Sequence, residues 1–233
     1  MQLARLGFTW VGIGLVLLAT SSSPPRLPAA SLSQSMEKYT PLDLWPKANQ
    51  DLKTDFHTRA YKGNNLGILP QGAQKLGGVK FFIGKGLIQL GSKQITDKPA
   101  RVVGIEVDRA FTRLHILHAT AYQAADDTVI ASYTIHYADK TKAVIDIVYG
   151  KDVRNWWNRQ DPNDTTRGKQ VWQGQNDYIK TLPQPNNVVN RLYLTTWENP
   201  HPRKKVVSID YAAADVQKNL TAPFCVAMTV ESR

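Results

Sequence analysis

The stretch from Thr128 to Tyr149 constrains the fold more than any other part of the chain. In TVIASYTIHY (128–137), Val129, Ala131, Tyr133, Ile135 and Tyr137 fall on one face of an extended strand, with Ser132, Thr134 and His136 on the other. Side chains alternate across a strand with a period of two, so the pattern predicts a half-buried β-strand. Ala138-Asp139-Lys140-Thr141 supplies a tight turn, and KAVIDIVY (142–149) alternates again, with Ile145, Ile147 and Tyr149 opposite Asp146. Together the two runs predict a β-hairpin.

Similar runs lie at 79–83, 87–90, 101–108, 111–120, 169–173, 191–197, 205–211 and 224–231, separated by Gly, Pro, Asn and Asp. No apolar period of 3.6 residues persists over three turns, and no internal repeat is visible. About ten short antiparallel strands with irregular connections predict an all-β fold, a jelly-roll β-sandwich. Sandwiches carry their binding surfaces on loops. The long connections here are 150–168, 173–190 and 199–203. If strands 142–149 and 191–197 run the same way, the tryptophan-bearing segments that follow them meet at one end of the sandwich.

The N-terminus reads as an address. Arg5 precedes an uncharged, mostly apolar run, Leu6 to Thr20, and small residues follow at Ala19 and Ser21. Residues 1–21 are expected to be a signal peptide, with an uncleaved N-terminal anchor as the alternative and the only membrane contact. No cysteine follows the run, which excludes a lipid-modified N-terminal cysteine. Residues 22–40 are rich in Ser, Pro and Ala and suit a flexible linker. Residues 41–233 then form a single domain, long enough to bury a core without staples. The chain has one cysteine, Cys225, so no disulfide closes within it. Its apolar setting, PFCVAMTV, predicts a buried, inert thiol. The expected location is exported and bacterial: periplasm, cell surface or medium.

The formal charge is +10, spread along the chain with one short run at Arg203-Lys204-Lys205. Dispersed charge gives diffuse attraction rather than a nucleic-acid groove, so the expected partner is carbohydrate or acidic cell-envelope polymer and not nucleic acid. The oligomeric state is left open.

Candidate chemistry is sparse. His115 and His118 have an H-x-x-H spacing, but on a strand the two rings point to opposite faces, which argues against zinc. No G-x-S-x-G, P-loop or H-E-x-x-H motif is present, so no catalytic residue is assigned. A glycan hydrolase using Asp152 and Glu198 requires those carboxylates to face each other across a cleft. The turn-rich segment 63–67, with Asp51 and Asp55 nearby, offers oxygens for a structural calcium; no other cofactor is expected.

The stronger signal is aromatic. Tyr149, Trp156, Trp157, Trp172 and Trp197 are interleaved with Lys151, Asp152, Arg154, Asn155, Glu198 and Asn199. Flat rings stack on the C–H face of a sugar, while planar polar side chains bond its hydroxyls; Arg can also clamp a sugar carboxylate. The expected ligand-binding set is therefore Tyr149, Asp152, Arg154, Trp156, Trp157, Trp197, Glu198 and Asn199. Against it stands core packing: Tyr149 and one of the two adjacent tryptophans are expected to close the core, and Asp152 with Arg154 is equally explained as a loop-fixing ion pair.

Several segments together, KGNNLGILPQG (62–72), GVKFFIGKGLIQL (78–90), RVVGIEVDRAFTRLHILHAT (101–120), YTIHYADKTKAVIDIVYGKDVRNWW (133–157), TTWENPHP (195–202) and APFCVAMTVE (222–231), resemble a galactose-binding-like β-sandwich. The likeness is to NPCBM-type carbohydrate-binding modules of bacterial, planctomycete-type multidomain proteins, over roughly residues 42–231. It implies a non-catalytic jelly roll with any ligand bound at loop tips, and carries over no catalytic residue. The alternative is an envelope structural or protein-interaction domain with no sugar ligand.

Overall fold

The computed structural model describes residues 38–57, 61–159 and 161–232. The expected signal segment and nearly all of the linker lie outside them. The described residues belong to one compact unit. Thirteen strands run in chain order as β1 (Tyr39–Pro41), β2 (Gln50–Asp51), β3 (Gly72–Leu76), β4 (Val79–Ile83), β5 (Gly86–Gln89), β6 (Arg101–Arg109), β7 (Arg113–Ala121), β8 (Val129–Tyr137), β9 (Lys142–Val148), β10 (Lys169–Gly174), β11 (Asn190–Glu198), β12 (Val206–Ala213) and β13 (Ala222–Glu231). One α-helical turn, α1 (Asp177–Lys180), and one 3-10 turn, Pro185–Asn187, stand between β10 and β11. No described helix is long and apolar enough to cross a membrane.

All pairings between these strands are antiparallel. The larger sheet has the order β10-β11-β7-β13-β5-β2, and the smaller one β6-β12-β8-β9. Ten-residue β13 is the spine of the large sheet. One edge pairs with β7 along its length, while the other is shared by β5 at Phe224–Cys225 and β1 at Thr229–Glu231. Thus Tyr39 and Thr40, expected at the end of the linker, are part of the sheet.

The two sheets pack as a β-sandwich. Tyr133 of β8 and Tyr211 of β12 stack at 4.3 Å in the interior, and Tyr133 meets the His118 ring of β7. Burial pushes the Cys225 thiol, beside Tyr133, up to about 12, so it stays protonated. His115 points away from this interior and packs edge-on against Tyr39. The β3–β4 hairpin lies over that outer face: Thr229 Oγ1 donates to the Lys80 carbonyl at 2.9 Å, and a Cβ at Gly77 would strike Val171 and Leu194.

The β8–β9 hairpin forms as expected, with Ala131, Tyr133 and Ile135 opposite Ile147, Ile145 and Ala143. Val129 departs from the expected inward face and is 40% exposed. A register shift between Val129 and Ala131 is the reason, since one extra residue turns the side chain to the other face.

Candidate functional site

The YGKDVRNWW segment is mostly architecture. Gly150 turns the chain out of β9 with φ +79°, a conformation that suits glycine. Asp152 is wholly buried; it accepts from the Val148 amide at 2.8 Å and is gripped by both arms of the Arg167 guanidinium. Arg154 is buried between Asp126, at 2.9 Å, and Asp161, at 3.0 Å. Tyr149 lies under the Arg154 guanidinium and donates its hydroxyl to Asp161 at 2.6 Å. These three side chains hold loop 150–168 in shape rather than lining an open site.

The two tryptophans divide. At the splayed ends of β7 and β11, residues 155–157 enter as an extra strand segment. Trp156 N donates to the Thr120 carbonyl at 2.8 Å, and the Trp156 carbonyl accepts from Arg191 N at 2.8 Å. Trp156 is thereby buried on the outer face of the large sheet, stacked on Phe56 at 5.3 Å and edge-on to Phe224. Trp157 is only half-buried and leans on Tyr178 at 5.5 Å.

Beyond Trp156 and Trp157 opens a cavity of about 280 Å³, just below the usual range for small-molecule sites. Its aromatic walls are His57, Tyr61, Tyr122, Trp156, Trp157 and Tyr178; Asn64, Asn155 and Arg159 supply polar groups. Tyr61 and Tyr178 stack at 4.7 Å. Local chemistry sets these residues in place. Asn176 caps α1 by accepting from the Ile179 amide at 2.9 Å, which presents Tyr178. Gly63 lets the 61–67 loop approach α1, since a Cβ there would press on Asp177 and Tyr178.

Two features mark this cavity off from ordinary packing. His57 and Tyr122, with rings 6.0 Å apart, hold left-handed backbone conformations at φ 64° and 61°. That is costly for bulky residues, and such strain clusters at binding sites. In addition, His57 Nε2 and Trp157 Nε1 are buried without a hydrogen-bond partner among the described residues. Burial, with the Lys98 charge adding to it, pushes the His57 imidazole down to about 3, so the ring is neutral at physiological pH.

The second half of the expected site lies elsewhere. Trp157 bridges to Asn190 at the start of β11, whereas Trp197, Glu198 and Asn199 are at its far end. Seven residues at roughly 3.3 Å each put Trp197 about 23 Å from that bridge. The expected convergence of the two tryptophan-bearing segments is therefore corrected: β11 separates them by its length. Glu198 pairs with Arg113 at 2.5 Å, and buried Asn199 accepts from the Tyr137 hydroxyl at 2.7 Å. Asp152 and Glu198 do not face each other across a cleft, because Asp152 is sealed against Arg167.

His115 bonds Thr196 and Glu231, and His118 bonds Thr195, on opposite faces as the strand periodicity requires. Asp55 is engaged as an acceptor, from the Gly63 amide at 2.9 Å and Asn65 Nδ2 at 3.0 Å. Among the described residues no group of three His, Cys, Asp or Glu is arranged around a metal position. A separate, largely apolar groove of about 800 Å³ runs beneath exposed Trp45 and Phe82.

Sequence reasoning missed Tyr61, Tyr122, Tyr178 and Arg159. The available signal was weak: single aromatics next to the turn formers Gly63 and Asn176, far apart in the chain. No protein-family model matches the chain, and no curated protein or solved structure matches it either.

Proposed function

We propose that the chain is a non-catalytic, exported binding module, a jelly roll of galactose-binding-like type, that recognises carbohydrate or acidic cell-envelope polymer. One observation carries the reading: the half-open aromatic cavity, walled by Trp157, Tyr178, Tyr61 and Tyr122, with strained backbone and unpartnered ring nitrogens at its lining. Aromatic faces beside a few polar groups are what a pyranose requires. The ligand set is accordingly revised from the expected one. Trp157 is retained; Tyr149, Asp152, Arg154 and Trp156 support the site, while Trp197, Glu198 and Asn199 stand apart from it.

The test is a glycan-array and cell-wall pulldown screen with the full chain, read alongside tryptophan fluorescence. Saturable binding should shift the fluorescence. Trp157→Ala should reduce retention at least tenfold while lowering the melting temperature by less than about 4 °C, because the ring is only half-buried. Wild-type retention by that variant would sink the reading.

The second reading, an envelope structural or interaction domain with no sugar ligand, draws on the groove beneath Trp45 and Phe82. Retention that vanishes in moderate salt with unchanged fluorescence would favour it, since only the diffuse +10 charge would then be acting.

A further inference from the structure

We infer that the aromatic cavity selects an acidic sugar, whose carboxylate is bound by Arg159. The inference rests on the carbohydrate reading above and deepens it by naming the ligand class.

The argument is an accounting of donors and acceptors. Among the described residues no Asp or Glu lines the cavity, and with His57 neutral, Arg159 is the charged member of that described lining. The two asparagine side-chain oxygens of the lining are already engaged. Asn64 Oδ1 accepts from Asn176 Nδ2 at 3.0 Å, and Asn155 Oδ1 accepts from the Trp157 amide at 3.1 Å. Among the described residues the indole N–H of Trp157 is buried without a partner, and it can only donate. A carboxylate only accepts, so it suits the Trp157 N–H and the Arg159 guanidinium.

Arg159 also differs from its neighbours in sequence and space. Arg154, Arg167 and Arg191 each hold a carboxylate of the same loop region. Among the described residues Arg159 has no ion-pair partner, and it is exposed at the cavity rim. Its planar fork can engage a carboxylate through two parallel bonds, which gives direction as well as charge.

The decisive experiment titrates the full chain, in 0.15 M salt on the order of physiological strength, with uronate oligosaccharides of galacturonate, glucuronate and mannuronate backbone, each beside its neutral methyl ester. The expected result is that at least one acid binds with a tryptophan fluorescence shift, at least tenfold tighter than its ester. Arg159→Gln should bring the acid down to the level of the ester, and Arg159→Lys should recover only part of the difference. Lys75→Gln, which removes an exposed charge on β3, should change neither.

Equal binding of acid and ester, with the fluorescence shift intact, overturns the anionic inference and leaves the carbohydrate reading standing. An acid preference that falls equally with Arg159→Gln and Lys75→Gln overturns it too, because diffuse charge would explain it. If none of these sugars, acid or ester, binds, the inference fails; if the wider glycan screen is also empty, the carbohydrate reading fails with it.

Discussion

Replacing Arg191 by Met should destabilise the domain by about 3–5 kcal/mol, the cost of breaking a buried charged network from one side. Arg191 is a large, fully buried side chain, 2% exposed. Its Nε donates to the Asn155 carbonyl at 2.9 Å, Nη1 to Asn163 at 3.2 Å and Nη2 to Asp161 at 2.5 Å, with the Asp161 carboxylate 3.4 Å away. One guanidinium thus satisfies three loop carbonyls. Met fills similar space and bonds none of them, so each loses its partner. A shift of roughly 10 °C in melting temperature is expected for a domain of this size. Arg191→Lys should restore only part, because an ammonium cannot span three carbonyls in the fork geometry. A melt within about 2 °C of wild type for Arg191→Met would show that loop 150–168 does not depend on this residue. Asn155 lies beside Trp156 and Trp157, so the same variant should also loosen the cavity and weaken any ligand held there.

Arg191 shows why the site was harder to read than the fold. Strand alternation is local, and each of the ten expected strands is present because its own residues carry the period. The strands that were missed lack that signal. β2 has two residues, and β3 (GAQKL) alternates only between half-buried and exposed positions, with no strong apolar face. Val129 was misplaced because a bulge obeys pairing geometry and not periodicity. In YGKDVRNWW, the mixture of aromatic and polar residues pointed to a sugar site. However, the partners that consume Asp152 and Arg154 are Arg167, Asp126 and Asp161, distant enough in sequence that residue type alone does not reveal the pairing. Likewise, alternation along 191–197 says nothing of which way the strand runs relative to loop 150–168. Trp157 and Trp197 look like companions in sequence and stand at opposite ends of β11. The expectation that one tryptophan of the pair closes the core holds for Trp156.

The second large effect is on pH dependence, through His118. Its ring is wholly buried against Tyr133, with Nε2 bonded to Thr195 Oγ1 at 2.9 Å. Burial pushes its imidazole from the usual 6.5 down to about 4, and the nearby Asp152 charge, which acts the other way, does not offset this. Above pH 6.5 the ring is neutral in both folded and unfolded chains and has no linkage effect. Below it, the unfolded chain binds a proton that the folded chain refuses until about pH 4, so stability falls as pH falls through this window. Two and a half units correspond to about 3 kcal/mol lost by pH 4. Carboxylates contribute later. For Glu231, burial disfavours ionisation, but the bonds from His115 and Lys38 outweigh it and keep the carboxyl below its ordinary 4.5, so its contribution is lost only under that pH. Urea unfolding should therefore show little change from pH 7.5 to 6.5 and a decline from there to pH 4.5 in wild type. His118→Gln, which keeps a donor for Thr195 and cannot protonate, should be less stable at pH 7.5 and should lose part of the slope below pH 6.5, the rest coming from His57 and His115, whose imidazoles burial also pushes down. An unchanged slope in that variant would move the acid sensitivity to another group, with half-buried His57, pushed down to about 3, next to be substituted.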